Sequence, residues 1–203
     1  MRTFLPPSAT RESILDAART LLARQGFRKT SMEDVAREAG LSRRTLYLHF
    51  ADKQDLFLAT IGKLVEGLLA RLEQEARAAG SPEERLLAML ELRVMHRFDG
   101  VADHYQSLDE LMANLRPAYL ERREQWFAAE AQLLARVIEE GMRAGHFTRA
   151  NAGALAGTLV TATNSLLPYS LSPRELGSRR EVERSVAELA RLLVRGIRAT
   201  PFA

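Results

Sequence analysis

The sequence predicts an all-α protein. Apolar residues recur at helical spacing along the chain, and no run of β-branched and aromatic residues alternates for long enough to make a strand. Capping and stop residues stand at the breaks between the apolar stripes. With 203 residues, 46% of them hydrophobic, the chain can bury a sizeable core. It has no cysteine, which excludes a disulfide framework and a Cys-based zinc site.

Ser8 or Thr10 caps a first helix, where Ile14, Leu15, Ala18, Leu21 and Leu22 form one stripe, and Gly26 ends it. Phe27 packs back on that helix. Thr30 or Ser31 caps a short second helix, Met32 to Ala39, with Glu33 and Asp34 in the first turn, where the helix dipole favours acids. Gly40 stops it. Ser42 caps a third helix from Arg43 to about His49, and Asp52 caps a long fourth one from Lys53 to about Ala79. After the break AGSPEE, Ser81 and Pro82 start a fifth helix that reaches about Arg97. The segment FDGVADH, Phe98 to His104, reads as a loop or kink around Gly100. A short helix from about Tyr105 to Asn114 comes next, and Pro117 opens a long one to about Ala144, closed by Gly145. Ala150 to Leu167 is rich in small residues and ends at Pro168; a loop to Arg179 precedes a last amphipathic helix, about Arg180 to Arg198.

Charge is distributed unevenly along this succession. Residues 1–60 hold ten Lys/Arg and seven Asp/Glu, whereas the remainder holds nineteen of each, so the formal excess of +3 lies in the N-terminal segment. A small nucleic-acid-binding module on a neutral body has that distribution. The N-terminal stretch MRTFLPPSATRES has no apolar region and no small-residue cleavage site, and no stretch reaches the roughly 18 apolar residues of a membrane span. The expectation is a cytoplasmic protein with no membrane partner.

The stretch Thr30 to Phe57, TSMEDVAREAGLSRRTLYLHFADKQDLF, has two short helices joined by a glycine-containing turn, the spacing of a helix-turn-helix. Val35, Ala36 and Ala39 face the partner helices, and Ala36 is small because the helices approach closely at the turn. Gly40 supplies the positive φ that reverses the chain, and Leu41 and Leu46 fill the small core from the other side. Ser42, Arg43, Arg44, Thr45, Tyr47 and His49 are left facing outward. Arginine pairs with guanine edges, and Thr and Tyr reach phosphates or the thymine methyl, so this face suits the major groove of DNA.

The same stretch resembles the DNA-binding domain of TetR-family regulators. The matching residues are Gly26 and Phe27, Thr30 and Ser31, and the runs Val35-Ala36-Arg37-Glu38-Ala39-Gly40-Leu41-Ser42, Thr45-Leu46-Tyr47-Leu48-His49-Phe50 and Asp52-Lys53-Gln54-Asp55-Leu56-Phe57. The resemblance is close from Ile14 to Phe57 and is one of layout beyond. It implies a three-helix DNA-binding domain over 8–57, continuing into the fourth helix, 53–79, and a larger helical domain, 80–203, for ligand binding and dimerisation. It also implies a non-enzymatic regulator that holds double-stranded operator DNA and is released by a small-molecule effector, with no cofactor. It assigns base reading mainly to Arg43, Arg44 and Thr45, with His49 at a base or the backbone and Tyr47 at a phosphate. Thr30 or Ser31, and Lys53 at the start of the fourth helix, would hold the backbone, where a helix N-terminus also favours an anion. Ser42 joins this surface as the cap of the reading helix. Many family members carry a small residue at Arg44, so the base it prefers is open.

The family also implies a dimer interface through the last two helices, about 150–167 and 180–198. Ala152, Gly153, Ala154, Ala156, Gly157 and Ala162 permit close helix approach, and Val182, Val186, Leu189, Leu193 and Ile197 form the stripe of the final helix. Candidates for the effector cavity are Met95, Phe98, Tyr105, Leu108, Met112, Tyr119, Trp126, Phe127, Leu134, Asn164 and Tyr169, apolar bulk with a few hydrogen-bonding tips. They suggest a largely hydrophobic effector. His96, Asp99, Asp103 and His104 offer metal-ligand types within nine residues, but Gly100 interrupts the helix that would align them, and no metal is expected. No G-x-S-x-G, phosphate-cradling loop or H-E-x-x-H element supplies a catalytic residue.

Overall fold

The computed structural model describes residues 7–101, 108–168 and 177–199, and these are helical apart from turns and one isolated antiparallel bridge between Phe147 and Arg198. Helix α1 (Pro7–Lys29) breaks at Gly26, whose φ of 78° and ψ of 172° turn the chain ahead of the short stretch that ends at Lys29. Helix α2 (Met32–Glu38) is capped by Ser31: the Asp34 N–H donates to Ser31 Oγ at 3.1 Å while the Asp34 carboxylate accepts from the Ser31 N–H at 3.0 Å. Ser42 caps α3 (Arg43–His49) by accepting the Thr45 N–H at 3.1 Å, and Asp52 accepts the Asp55 N–H at 2.8 Å in the first turn of α4 (Lys53–Ala76).

Two elements differ from the sequence expectation. Helix α5 (Pro82–Val101) continues through Gly100, where the sequence predicts a loop or kink. A glycine in a helix interior costs about 1 kcal/mol. Tertiary contacts outweigh it: Val101 is fully buried, and the Asp99 carboxylate receives Arg179 through Nε at 2.8 Å and Nη2 at 3.1 Å. Helix α6 (Leu108–Arg143) likewise contains Pro117 in its interior instead of starting there. Leu111, Leu115 and Tyr119, four residues apart, are buried on both sides of the proline, so a single apolar stripe carries the helix across it. Helix α7 (Ala152–Thr163) is followed by a 3₁₀ turn, Asn164–Leu166, and α8 (Arg179–Ile197) starts with a reciprocal Ser178–Glu181 cap.

The chain divides into two compact units, Met1–Leu64 with Ala102–Tyr119, and Val65–Val101 with Leu120–Ala203. The division falls within α4 and α6 and not at the break after residue 79. In the first unit Ile14, Leu15, Ala18, Leu21, Val35, Ala36, Leu46 and Phe50 are buried, and the Phe27 and Phe57 rings meet edge to face at 5.2 Å. The second unit has its own core of Leu68, Leu72, Leu86, Met89, Leu90, Leu134, Val137, Ile138, Phe147, Ala156, Leu159, Val160, Ala190 and Val194. Helix α8 packs on α5, and charged pairs fasten the two at both ends: Arg179 to Asp99, and Arg198 to Glu83 with Nε donating to Oε2 at 2.8 Å.

This packing corrects the stripe expected to face a partner protomer. Val182 and Val186 are buried within their own chain, because α8 spends its most apolar face on α5. What α8 leaves outward is Leu192, 67% exposed, beside the partly exposed Leu189, whereas Leu193 and Ile197 pack against the core. On α7 the outward residues are small, Gly153, Ala154, Thr158 and Thr161, whereas Ala152 and Ala156 are turned into the core.

Candidate nucleic-acid interface

The corner between α2 and α3 is closed by main-chain bonds. The Leu41 N–H donates to the Ala36 carbonyl at 2.8 Å and the Gly40 N–H to the Arg37 carbonyl at 3.1 Å, with Gly40 at φ 67°. Ala36 is buried at this close approach, and Leu46, fully buried, anchors α3 from the other side. At 100° per residue a helix anchored by Leu46 turns Arg44 and Leu48 directly away from the body, with Thr45 and Tyr47 on the flanks. The exposures follow that geometry: Tyr47 is 47% and Leu48 77% exposed, Arg43 and Arg44 are exposed, and Thr45 and His49 are half-buried.

Each outward group has a distinct local setting. Arg43 is ion-paired with Glu33 in the first turn of α2. Arg44 makes no hydrogen bond or ion pair with any described residue. The Ser42 and Thr45 hydroxyls share a hydrogen bond of 2.8 Å, so the cap and the adjoining hydroxyl act as one polar unit. Ser31 is engaged with Asp34, whose carboxyl is held below its ordinary value first by the Ser31 hydroxyl and then by the Ser31 N–H and Arg37. Lys53 places Nζ 4.1 Å from the centre of the Phe27 ring and 3.4 Å from the Arg28 carbonyl that accepts from it. Partial burial pushes its ammonium below its ordinary value, against the opposing pull of Glu110. Thr30 is not on this surface: it is 2% exposed and its hydroxyl donates to the Gly26 carbonyl at 2.8 Å. The second helix is therefore capped by Ser31 alone, and Thr30 locks the corner after α1.

Two contributors escaped the sequence reading. Leu48 occupies the crest of α3, and only the position of the buried Leu46 two residues earlier would have placed it there. Glu110 on α6 accepts the Arg28 N–H at 3.1 Å and pairs with Arg28 Nε at 3.2 Å, tying the corner between α1 and α2 to a helix 82 positions away in sequence. Nothing local in the sequence announces that contact.

The proposed effector residues are distributed over both units. Met112 and Tyr119 are buried in the first unit, whereas Met95, Phe98, Trp126, Phe127, Leu134 and Asn164 belong to the second. Tyr105, Tyr169 and the side chain of Leu108 lie outside the described residues. In the second unit Asn164 and Phe127 border a buried charged cluster. Arg93 Nε donates to Glu130 Oε2 at 2.6 Å, Arg93 Nη1 donates to Thr163 Oγ1 at 2.6 Å, and Nη2 donates to the Asn164 side-chain carbonyl. Arg97 Nη1 donates to the Arg93 carbonyl at 3.1 Å, and Arg97 pairs with Glu130. The guanidinium carbons of Arg93, Arg97 and Arg123 stand 5.1, 5.8 and 5.5 Å from the Phe127 ring centre. This cluster had a legible signal: Arg93 and Arg97 continue the stripe of Leu86, Met89 and Leu90, and Glu130 lies four residues before Leu134.

Of the four metal-ligand types, Asp99 is taken by Arg179 and His96 Nδ1 lies 3.2 Å from Arg71 Nη1, while Asp103 and His104 are outside the described residues. Among the described residues no helix is long and apolar enough to cross a membrane.

Comparison with known proteins adds three findings. The sequence model "Bacterial regulatory proteins, tetR family" matches residues 14–60. The HTH-type transcriptional repressor KstR2 of Rhodococcus jostii is 30% identical over 149 residues, 69% of each chain, and the HTH-type transcriptional regulator AcrR of Shigella flexneri is 41% identical over 91 residues. That second match spans 42% of each chain, less than half the length of the relative. The crystal structure of a TetR/AcrR-family regulator from Thermobifida fusca superposes with a TM-score of 0.68 at 25% identity, over 92% of this chain and 97% of that one.

Proposed function

The chain belongs to the TetR family of bacterial regulatory proteins, non-enzymatic and DNA-binding, and from that premise we propose that it is a homodimeric repressor released from an inverted-repeat operator by a small effector. The observation that carries the DNA half of this reading is the outward face of α3. Arg43, Arg44, Thr45 and Tyr47 project from a helix whose single inward residue, Leu46, is completely buried, so the face is rigidly presented for the major groove. Ser42 and His49 border it. Ser31 and Lys53, at the starts of α2 and α4, hold phosphates on either side. Dimerisation would use the small outward residues of α7 and the Leu189 and Leu192 face of α8, supported by the large exposure of Leu192.

The effector enters the second unit, which holds Met95, Phe98 and Trp126 as apolar bulk and where Phe127 and Asn164 border the Arg93–Glu130–Arg97 cluster. A largely hydrophobic molecule with a hydrogen-bonding end fits that composition. Helix α4 is one route from effector to DNA. Helix α6 is a second, because it carries Glu130 of the buried cluster and also Glu110, which holds Arg28. Two half-sites about one helical turn apart, roughly 34 to 36 Å, demand one spacing of the reading helices, so a modest shift along either route weakens binding. The deciding experiment is selection of random duplex DNA on the purified protein at near-physiological salt. Enrichment of an inverted repeat is expected; no enriched sequence would refute sequence-specific regulation.

A further inference from the structure

An isolated exposed leucine on a protein surface is ordinary. Leu48 is set apart by its position. It is 77% exposed on a helix whose other outward side chains are polar, and it stands on the crest opposite the buried anchor Leu46. Its neighbour on that crest, one turn back, is Arg44, which has no partner among the described residues. Arg43 lies nearer the body, on the side of α2, where Glu33 holds it. The crest of α3 thus carries one guanidinium without a partner among the described residues and one isobutyl group, four residues apart.

Resting on the reading of α3 as a major-groove helix, the geometry points to Leu48 as a specificity-determining residue that packs on the C5-methyl of a thymine, beside a guanine read by Arg44. The chemistry is complementary at both positions. In the major groove guanine offers two acceptors to a guanidinium, and the thymine methyl is the only apolar group that the base edges present there. Side chains at i and i+4 have their Cβ atoms about 6 Å apart, one to two base pairs at the DNA rise of about 3.4 Å. A leucine in contact with cytosine or adenine would instead cover an amino donor without satisfying it, which disfavours those bases. Arg44 supplies attraction to the groove, and Leu48 makes a neighbouring pair count.

The test deletes the same contact from each side. In the operator recovered by selection, each thymine is replaced in turn by deoxyuridine, which lacks only the methyl, and affinity is measured for the wild-type protein and for Leu48→Ala. One thymine in each half-site is expected at which the replacement weakens wild-type binding about fourfold, the factor for one buried methyl group, and leaves Leu48→Ala unchanged. Because Leu48 is exposed, thermal unfolding of the variant should match the wild type, which separates a contact effect from misfolding. Deoxyuridine effects that are equal in the two proteins, or absent at every thymine, overturn the assignment while leaving the operator intact. Failure to select any operator overturns it together with the reading on which it rests.

Discussion

The Arg43 guanidinium is ion-paired with the Glu33 carboxylate, so the first residue of the reading helix is tied to the first turn of α2 when no DNA is present. Both side chains are substantially exposed, and such a pair is worth at most about 1 kcal/mol. DNA can therefore take Arg43 over, at a small cost in affinity. Glu33→Gln should strengthen binding to operator and to random duplex alike, by about two- to fivefold, since it removes both the competitor and a negative charge facing phosphate. Fluorescence anisotropy over a range of salt concentrations checks this; affinities equal to wild type at every salt would show that Arg43 does not change partners.

Lys53 is predicted to act on backbone alone. Lys53→Ala should weaken all sequences by the same factor and reduce the salt slope by about one, whereas Arg44→Ala should relax sequence choice and cost about 1 to 3 kcal/mol on the operator. Because Lys53 also lies over Phe27, the unfolding temperature of the variant is measured in parallel. Equal losses on specific and random DNA from both substitutions would remove the division of roles.

Glu130 neutralises two guanidiniums in a place that water does not reach. Glu130→Ala leaves Arg93 and Arg97 side by side without it, and removal of one partner from a buried ion pair costs about 3 to 5 kcal/mol. Urea unfolding should report a loss of that size. A loss below about 1 kcal/mol would mean that the cluster relaxes or hydrates, and would discount it as an organising feature.

The helical architecture and the capped corner that turns α3 outward are legible in the sequence because their signals are local. Ser31 with Asp34, Ser42, Gly26 and Gly40 are cap and turn residues, and each does in space what its spacing announces. The errors fall where distant partners override a local signal. Gly100 and Pro117 look like breaks until Val101, Asp99 and the Leu111–Leu115–Tyr119 stripe find their contacts. The stripe of α8 was legible as apolar, but whether it faces α5 or another protomer depends on tertiary packing. Thr30 against Ser31 as the cap was undecidable locally, since both carry a hydroxyl and only the turn at Gly26 draws one of them inward.

The carboxyl groups that cap helices in the second unit should confer an acid sensitivity. Glu84 and Glu181 are held below the ordinary 4.5, first by the backbone N–H of Ser81 and of Ser178 and then by the serine hydroxyls. Because the folded-state values are the lower ones, the stabilisation is complete above the ordinary value and is lost as pH falls through that value toward the folded one. Thermal unfolding from pH 7 to pH 3 should therefore fall less steeply for the Glu84→Gln/Glu181→Gln double variant than for the wild type. Parallel curves would show that these caps do not contribute to acid lability.

Gly141 is required for space and not for backbone freedom. A β-carbon added there would lie 2.2 Å from the ring of Phe147, which belongs to the buried core and has no room to retreat. Gly141→Ala should destabilise by about 1 to 3 kcal/mol despite alanine's better helix propensity. A stability equal to wild type would mean that the ring moves freely.

Helix α8 is fastened to α5 by charge at its two tips and by buried valines between them. The two kinds of attachment answer to different variables. Concentrated salt screens the tips and leaves the apolar middle untouched, while cooling weakens the middle and spares the tips. In amide hydrogen exchange the helix should consequently behave as three segments, with ends whose opening tracks ionic strength and a centre that opens only when the whole unit unfolds. Helix α8 is thereby held by a middle that stays closed while its ends open, and it does not slide on α5 as a whole.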